Sequence, residues 1–215
     1  MRSFYRSTVG KKIVMALTGL VLVGFVIGHM IGNLLAFRGE AALNAYSGFL
    51  KSSAGVLWSV RLLLLVSVVL HITAAVQLTR IDRKARPIGY DQRDPQVSTI
   101  ASRTIRWGGV VILIFVVFHL LHLTTGNVHP SFDHTNVYGN VVSGFRVWWV
   151  SAFYIAAMVA LGLHLYHGTW SSVRTLGASR SGADPLSRKL PALLALLVGL
   201  GFAAVPAGVL AGLIH

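Results

Sequence analysis

Five long apolar stretches dominate this sequence and limit what the chain can fold into. They lie at roughly residues 13–37, 56–79, 105–126, 147–171 and 190–214. A bilayer core about 30 Å thick is crossed by about 20 mostly apolar helical residues, and each stretch is long enough. Because 54% of the residues are hydrophobic and only 12% are charged, a water-soluble fold is excluded. We therefore predict an all-α fold, a five-helix transmembrane bundle formed by residues 1–215 as one domain.

The basic residues are concentrated on one side of this bundle. Of the 19 lysines and arginines, only four lie on the other side, namely Arg38, Lys51, Arg61 and Arg146. Cytoplasmic loops carry the excess of basic residues, so we predict a cytoplasmic N-terminus and an outside C-terminus. The first stretch is too long for a signal peptide and is interpreted as a retained span. The net charge of +13 does not indicate nucleic acid, because the cations form no patch with interleaved aromatic residues.

Histidines within the apolar stretches are the most informative polar residues. Six of the nine lie there, on four of the five predicted helices: His29, His71, His119, His122, His164 and His167. A single one can simply hydrogen-bond to a neighbouring helix, but ionisable residues in a membrane more often mark a functional site. The chain has no cysteine, which excludes cysteine-ligated clusters and covalently attached haem. No acidic residue lies within a predicted span, which disfavours di-iron sites and carboxylate-based proton pumps or transporters.

The depths of these histidines predict two levels. At 1.5 Å per residue, His29 and His119 lie about 20–25 Å from the cytoplasmic ends of their helices. His71 and His164 lie about 14–15 Å from the basic ends of theirs. We call His29 with His119 the outer pair, and His71 with His164 the inner pair. Two histidines at each level suit two stacked bis-histidine haems, whose role would be electron transfer because no coordination position stays open.

Helix three and helix four each carry a second candidate ligand one turn away. Spacing alone does not choose between His119 and His122, or between His164 and His167. We interpret the remaining histidines as solvated: His129, His134 and His215.

Glycines recur every fourth residue at Gly24, Gly28 and Gly32, and again at Gly208 and Gly212. Such spacing usually allows close helix packing. The alternative is that Gly28, beside the first intramembrane histidine, makes room for a flat cofactor.

Several short segments around the histidines form a recognisable set: Thr18-Gly19-Leu20, Ile27-Gly28-His29-Met30, Arg38-Gly39-Glu40-Ala41, Leu43-Asn44, His71, Phe118-His119-Leu120, Phe145-Arg146 opening helix four, His164 and Gly168-Thr169-Trp170-Ser171. Together they resemble the single-chain, dihaem cytochrome b membrane anchor of bacterial succinate dehydrogenase and fumarate reductase, the succinate:quinone oxidoreductases. The resemblance covers nearly the whole chain.

This resemblance implies a ligand for each iron. The axial ligands would be His29 and His119 for the outer, distal haem b, and His71 and His164 for the inner, proximal one. Arg146 matches an arginine that contacts a propionate of the distal haem, although it could instead be an interfacial anchor.

The resemblance also implies partners and a direction of electron flow. A flavoprotein subunit and an iron–sulfur subunit would dock on the cytoplasmic face of the bacterial cell membrane. Electrons from succinate would pass through both haems to a quinone, generally menaquinone in bacterial two-haem members, and this chain would not act on succinate itself. Some fumarate-reducing members carry a glutamate two residues before the helix-four ligand, where this chain has Gly162, which favours succinate oxidation.

Two other functions are compatible with the same histidines. One is a haem b anchor for another quinone-linked enzyme, such as a hydrogenase or formate dehydrogenase, which the Arg-Gly-Glu-Ala segment disfavours. The other is a transporter or structural membrane protein whose histidines bind no haem. The quinol-oxidising cytochrome b is disfavoured because it carries two histidines about four turns apart on each of two helices.

Overall fold

The computed structural model describes residues 2–85, 99–178 and 186–215, which are almost entirely helical and contain no strand. The helices are α1 (Arg2–Arg6), α2 (Thr8–Asn33), α3 (Glu40–Ser52), α4 (Ala54–Ala85), α5 (Ile100–Leu123), α6 (Val137–Arg146), α7 (Trp148–Thr175) and α8 (Leu186–Leu210). A 3-10 helix, Leu34–Arg38, extends α2. Parts of the basic second and fourth connections, residues 86–98 and 179–185, lie outside the described residues.

Five of these helices are long and apolar enough to cross a membrane: α2, α4, α5, α7 and α8. The prediction of five spans in a multi-pass membrane protein is therefore confirmed. Several helix ends differ from the predicted spans: α2 begins at Thr8 instead of 13 and α4 continues to Ala85 instead of 79, whereas α5 already ends at Leu123 instead of 126 and α8 at Leu210 instead of 214. Hydropathy marks only the apolar part of a helix, whereas the backbone continues to a cap such as Ser7, whose hydroxyl accepts a hydrogen bond from the Gly10 N–H.

The order of packing decides which helix faces meet. Helix α2 packs against α4 and α7, and α7 packs against α5 and α8. By contrast, α2 does not pack closely against α5, nor α4 against α7. The two helices that carry each histidine pair therefore share a neighbour, α7 for the outer pair and α2 for the inner pair, without packing closely against each other.

Helices α3 and α6, neither of which was predicted, cover the end of the bundle opposite the basic end. Their apolar faces join the larger buried cluster, to which Leu43, Tyr138 and Phe145 belong. Asparagines connect them: the Asn44 amide donates to Asn136 Oδ1 at 3.0 Å, and Asn44 Oδ1 accepts from the Tyr138 N–H at 3.0 Å. These two helices, joined by hydrogen bonds, form a cap over the outer pair.

One predicted helix start was wrong. Phe145 and Arg146 do not open helix four but end α6, and Val147 is extended before α7 begins at Trp148. The buried Ser151 hydroxyl donates to the Phe145 carbonyl at 2.6 Å, which satisfies a carbonyl at the end of α6. This break lets α6 lie across the bundle instead of extending α7.

The glycines on α2 differ in their surroundings. An added Cβ at Gly24 or Gly28 would meet no atom within 4 Å, whereas one at Gly32 would lie 2.5 Å from the Tyr46 ring. The prediction that these glycines allow close packing against another described element is therefore wrong for Gly24 and Gly28 and is confirmed for Gly32. At the end of α8, a Cβ at Gly208 would lie 3.0 Å from the ring of Phe37.

Candidate functional site

The intramembrane histidines lie in two facing pairs. In the outer pair, the ring centres of His29 on α2 and His119 on α5 are 5.8 Å apart, with the ring planes at 80°. In the inner pair, the ring centres of His71 on α4 and His164 on α7 are 6.2 Å apart, with the planes at 57°. The structure thus brings together the residues that were predicted to lie at the same depth.

These separations match two imidazoles on opposite sides of one metal ion. With metal–nitrogen bonds of about 2.0 Å and about 1.1 Å from a ring centre to its nitrogen, the ring centres would be about 6 Å apart. Within the described parts of the chain, no group of three or more histidine, cysteine, aspartate or glutamate side chains is placed to hold a metal ion. A metal at either pair would therefore need most of its ligands from a bound group.

The ring of His71 is held in one tautomer. Its Nδ1 lies 3.1 Å from the Met15 carbonyl and 3.3 Å from the Thr18 hydroxyl oxygen. The Thr18 hydroxyl uses its own hydrogen towards the Val14 carbonyl at 2.7 Å, so it can only accept from His71. The proton of His71 is consequently on Nδ1, and Nε2 keeps the lone pair that a metal would require.

Two glycines lie close to the rings of the inner pair. A Cβ at Gly19 would lie 3.3 Å from His71 Cε1, and one at Gly109 would lie 3.8 Å from His164 Cε1. His164 Nδ1 is buried and has no hydrogen-bond partner among the described residues. A cavity of about 110 Å³ adjoins this ring, lined also by Ala101, Thr104, Ile105, Gly108, Ala160 and Leu163.

The outer pair lies among aromatic rings. The His29 ring stacks on Phe25 with ring centres 5.3 Å apart, and Phe202 contacts it at 5.7 Å. The Asn33 amide nitrogen is 3.3 Å from His29 Nε2. On the other side of the pair, His119 Nδ1 is 3.3 Å from the Tyr154 hydroxyl. Coordination through Nε2 is thus open to His119, whereas His29 would give up its contact with Asn33.

The two spare histidines face other neighbours. His122 is 1% exposed, and its Nδ1 lies 3.0 Å from the Tyr154 hydroxyl. His167 contacts Trp170, with ring centres 6.2 Å apart. Neither ring contacts His29 or His71. Of the two histidines on each helix, it is therefore His119 that lies beside His29 and His164 that lies beside His71.

The prediction that His129 is solvated was wrong. This half-buried ring donates from Nε2 to the Asn140 carbonyl at 2.8 Å and accepts the Ser131 N–H on Nδ1 at 3.1 Å. Its ring centre is 4.9 Å from that of His122. His134 and His215 are exposed, as predicted.

Charged residues lie near the ends of the described helices. Arg146 is exposed at the end of α6 and makes no hydrogen bond or ion pair with any residue that the structure describes. At the basic end, Arg106 on α5 pairs with Asp82 in the last turns of α4 at 3.1 Å. Arg174 lies over the ring of Trp170 at 4.9 Å beside an open groove of about 410 Å³, which Lys12 also lines. This groove gives the basic end an indented, cationic surface.

No known protein family, curated protein or solved structure matches the chain.

Proposed function

We propose that the chain is the membrane-anchor cytochrome b subunit of a succinate:quinone oxidoreductase. In this proposal the outer pair, His29 and His119, holds one haem b, and the inner pair, His71 and His164, holds the second. The observation that carries the proposal is the pair of ring separations, 5.8 Å and 6.2 Å, on helices that do not pack closely against each other.

The residues present fit such a group. A haem would supply four nitrogen ligands to its own iron, so the protein would have to supply only two imidazoles at each pair. The chemistry of the donors agrees, because Nε2 of His71 is left with a free lone pair by the bonds to Met15 and Thr18. The glycines also agree, since the surface of α2 at Gly24 and Gly28, next to His29, is open.

The chain's own residues hold and orient the ligands. A bound haem supplies reversible one-electron chemistry at its iron. The Met15 carbonyl fixes the His71 ring, and Phe25 with Phe202 packs around His29. Because His71 contacts α2 at Met15 and Thr18, 11 to 14 residues before His29, the two pairs lie about 17–21 Å apart along that helix. This stacking across the bundle suits transfer of electrons from one face of the membrane to the other.

The basic end is the surface we assign to the soluble partners. Basic residues there face the cytoplasm by the positive-inside rule and favour the approach of an acidic partner surface. We propose that the iron–sulfur subunit docks at this end, next to the flavoprotein subunit, and delivers electrons to the inner haem. The outer pair, His29 and His119, would hold the haem that serves a quinone, which we take to be menaquinone, in a bacterial cell membrane.

The direction we propose is succinate oxidation. Gly162 occupies the position of the proton-relaying glutamate of some fumarate reductases, and its Cβ would lie 3.6 Å from the Ala195 carbonyl on α8. An added Cβ there would be in ordinary van der Waals contact with α8, so the proposed direction rests on the missing carboxylate and not on a lack of space.

Haem content of the purified, detergent-solubilised protein tests the proposal, measured by pyridine haemochrome together with a reduced-minus-oxidised spectrum. We expect two haems b per chain. Replacing any one of the four ligands by leucine is expected to remove one haem. The two substitutions within one pair should remove the same component of the spectrum. As matched controls, His167→Leu and His134→Leu are expected to retain both haems.

Other outcomes would count against specific parts of the proposal. A folded but colourless protein would refute the electron-transfer function, and a single haem would refute one of the two pairs. Co-purification with a hydrogenase or formate dehydrogenase, instead of a succinate-oxidising flavoprotein, would show that the haems serve a different enzyme.

A further inference from the structure

A tyrosine hydroxyl lies between the outer ligand and the spare histidine of α5. The Tyr154 hydroxyl oxygen is 3.3 Å from His119 Nδ1 and 3.0 Å from His122 Nδ1. Tyr154 is 5% exposed and His122 only 1% exposed. Two aromatic rings hold the tyrosine in place, with ring centres 5.0 Å away for Phe115 and 4.8 Å for Phe145.

The hydrogen bonds of this group have one consistent direction if His119 binds iron, a step that rests on the proposed function. Coordination through Nε2 leaves the proton of His119 on Nδ1, where it can only be donated to the Tyr154 oxygen. The single hydroxyl hydrogen of Tyr154 is then donated to His122 Nδ1. His122 consequently carries its own proton on Nε2, the nitrogen that is buried and has no partner among the described residues.

The position of His122 depends on a glycine of α6. A Cβ at Gly144 would lie 2.7 Å from His122 Cε1, 2.8 Å from His122 Nε2 and 3.0 Å from His129 Nε2. No real Cβ atom makes contacts that short with a ring, so only glycine at 144 leaves room for both histidines. The spare histidine is thus held where its Nδ1 can accept from the tyrosine.

We propose that Tyr154 is a positioning residue for the outer haem ligand and that His122 is the acceptor that fixes the direction of its hydroxyl. A second residue that accepts the ring N–H of a metal-bound histidine fixes the ring and increases its basicity. A more basic ligand favours the oxidised iron, so Tyr154 lowers the midpoint potential of the outer haem. The inner pair is arranged differently, because His71 donates to the Met15 carbonyl and to Thr18.

Tyr154→Phe in the purified, haem-loaded protein tests this assignment, with redox potentiometry and low-spin EPR of both haems as readouts. The substitution retains the ring and its packing and removes only the hydroxyl. We expect the midpoint potential of the outer haem to rise. Each tenfold decrease in the preference of the histidine ligand for oxidised over reduced iron corresponds to a rise of about 59 mV. The outer EPR signal should also change, and the potential of the inner haem should not. A His71→Leu variant, which loses the inner haem, identifies the outer component.

Two further variants serve as matched controls. Tyr166→Phe removes a half-buried hydroxyl of the same helix that makes no hydrogen bond with the described residues, and we expect both potentials to stay unchanged. Thr18→Val removes an acceptor of the His71 ring, and we expect only the inner potential to move. If Tyr154→Phe does not fold, His122 provides the test. His122→Asn places an amide oxygen near the position of Nδ1, so its outer potential should stay closer to wild type than that of His122→Leu.

The possible outcomes separate this inference from the proposed function. Two haems whose potentials are unaffected by Tyr154→Phe, or that shift equally, would overturn the inference and leave the haem assignment standing. The inference is equally overturned if His122→Asn and His122→Leu are alike. A folded wild-type protein without haem would refute the proposed function itself, and the inference with it. A single haem that is lost in His71→Leu and retained in His119→Leu would refute the outer pair, and the inference with it.

Discussion

Asn44 holds together the cap over the outer pair, and its substitution by alanine gives the most direct test of the fold at this end. The side chain makes two hydrogen bonds of 3.0 Å, one from its amide to Asn136 and one from the Tyr138 N–H to its oxygen. Tyr138 lies in the first turn of α6, where backbone N–H groups have no partner within the helix. Asn44→Ala therefore removes both bonds and leaves a backbone donor without its partner.

The size of the effect follows from these contacts. A hydrogen bond contributes about 0.5–1.5 kcal/mol net, and an unsatisfied buried donor costs about 1–3 kcal/mol. We expect Asn44→Ala to lower the free energy of unfolding by about 2 kcal/mol. For a chain of this length, about 2–4 °C of Tm is lost for each kcal/mol, so the expected decrease is about 4–8 °C.

Thermal unfolding of the detergent-solubilised protein, followed by circular dichroism, measures this change. Asn44→Asp keeps the acceptor for Tyr138 but loses the donor to Asn136, so we expect about half the decrease in Tm. Asn127→Ala is the matched control, because Asn127 is an exposed asparagine at the same end of the bundle, and surface substitutions usually change stability by less than about 0.5 kcal/mol. Equal Tm values for Asn44→Ala and Asn127→Ala would refute the argument that these two bonds hold the cap in place.

Three further substitutions test other contacts. Gly32→Ala places a methyl group 2.5 Å from the Tyr46 ring, so we expect a loss of about 1–3 kcal/mol in unfolding measurements, and an unchanged Tm would contradict the packing. Ser151→Ala removes a 2.6 Å hydrogen bond from a fully buried hydroxyl, and we expect a loss of about 1–2 kcal/mol, whereas a neutral result would show that the carbonyl finds another donor. Hydrogen bonds from the Thr135 hydroxyl and N–H lower the pKa of Asp133, so its contribution to stability is present above the unfolded value of about 3.9 and is lost as the pH falls through its folded pKa. The free energy of unfolding, measured at several acid pH values, should be larger for wild type than for Asp133→Asn only at pH values above the folded pKa of Asp133. A difference that persists at lower pH would contradict this role of Asp133.

The membrane spans could be predicted from the sequence because hydropathy is averaged over about 20 residues and needs no knowledge of tertiary contacts. The helix ends could not be predicted in the same way. Helix α5 begins at Ile100, five residues before the predicted span, because Thr99 caps it by accepting the Ser102 N–H. Caps depend on single side chains, so a windowed average does not register them.

The cap helices α3 and α6 were missed because their stability is tertiary. Helix α6 has ten residues, too few to be stable alone, and it depends on the burial of its apolar face and on Asn44. A local signal was nevertheless present. Asn136 is an N-cap residue whose side chain accepts the Gly139 N–H, and apolar residues follow at the helical spacing of Tyr138, Val141 and Val142.

Whether His119 or His122 faces α2 depends on how the helices pack and cannot be read from the spacing of the two residues. Residues three apart on an α-helix point in directions about 60° apart, so the two imidazoles of α5 face different neighbours. Helix geometry alone determines this angle, but which direction leads to α2 depends on how α5 is rotated against α7. That rotation is set by aromatic contacts such as Phe115 with Tyr154 at 5.0 Å and Phe118 with Phe153 at 5.2 Å. If α5 were turned by about 60° about its axis, His122 would face α2 in place of His119. These contacts therefore determine which of the two rings lies beside His29.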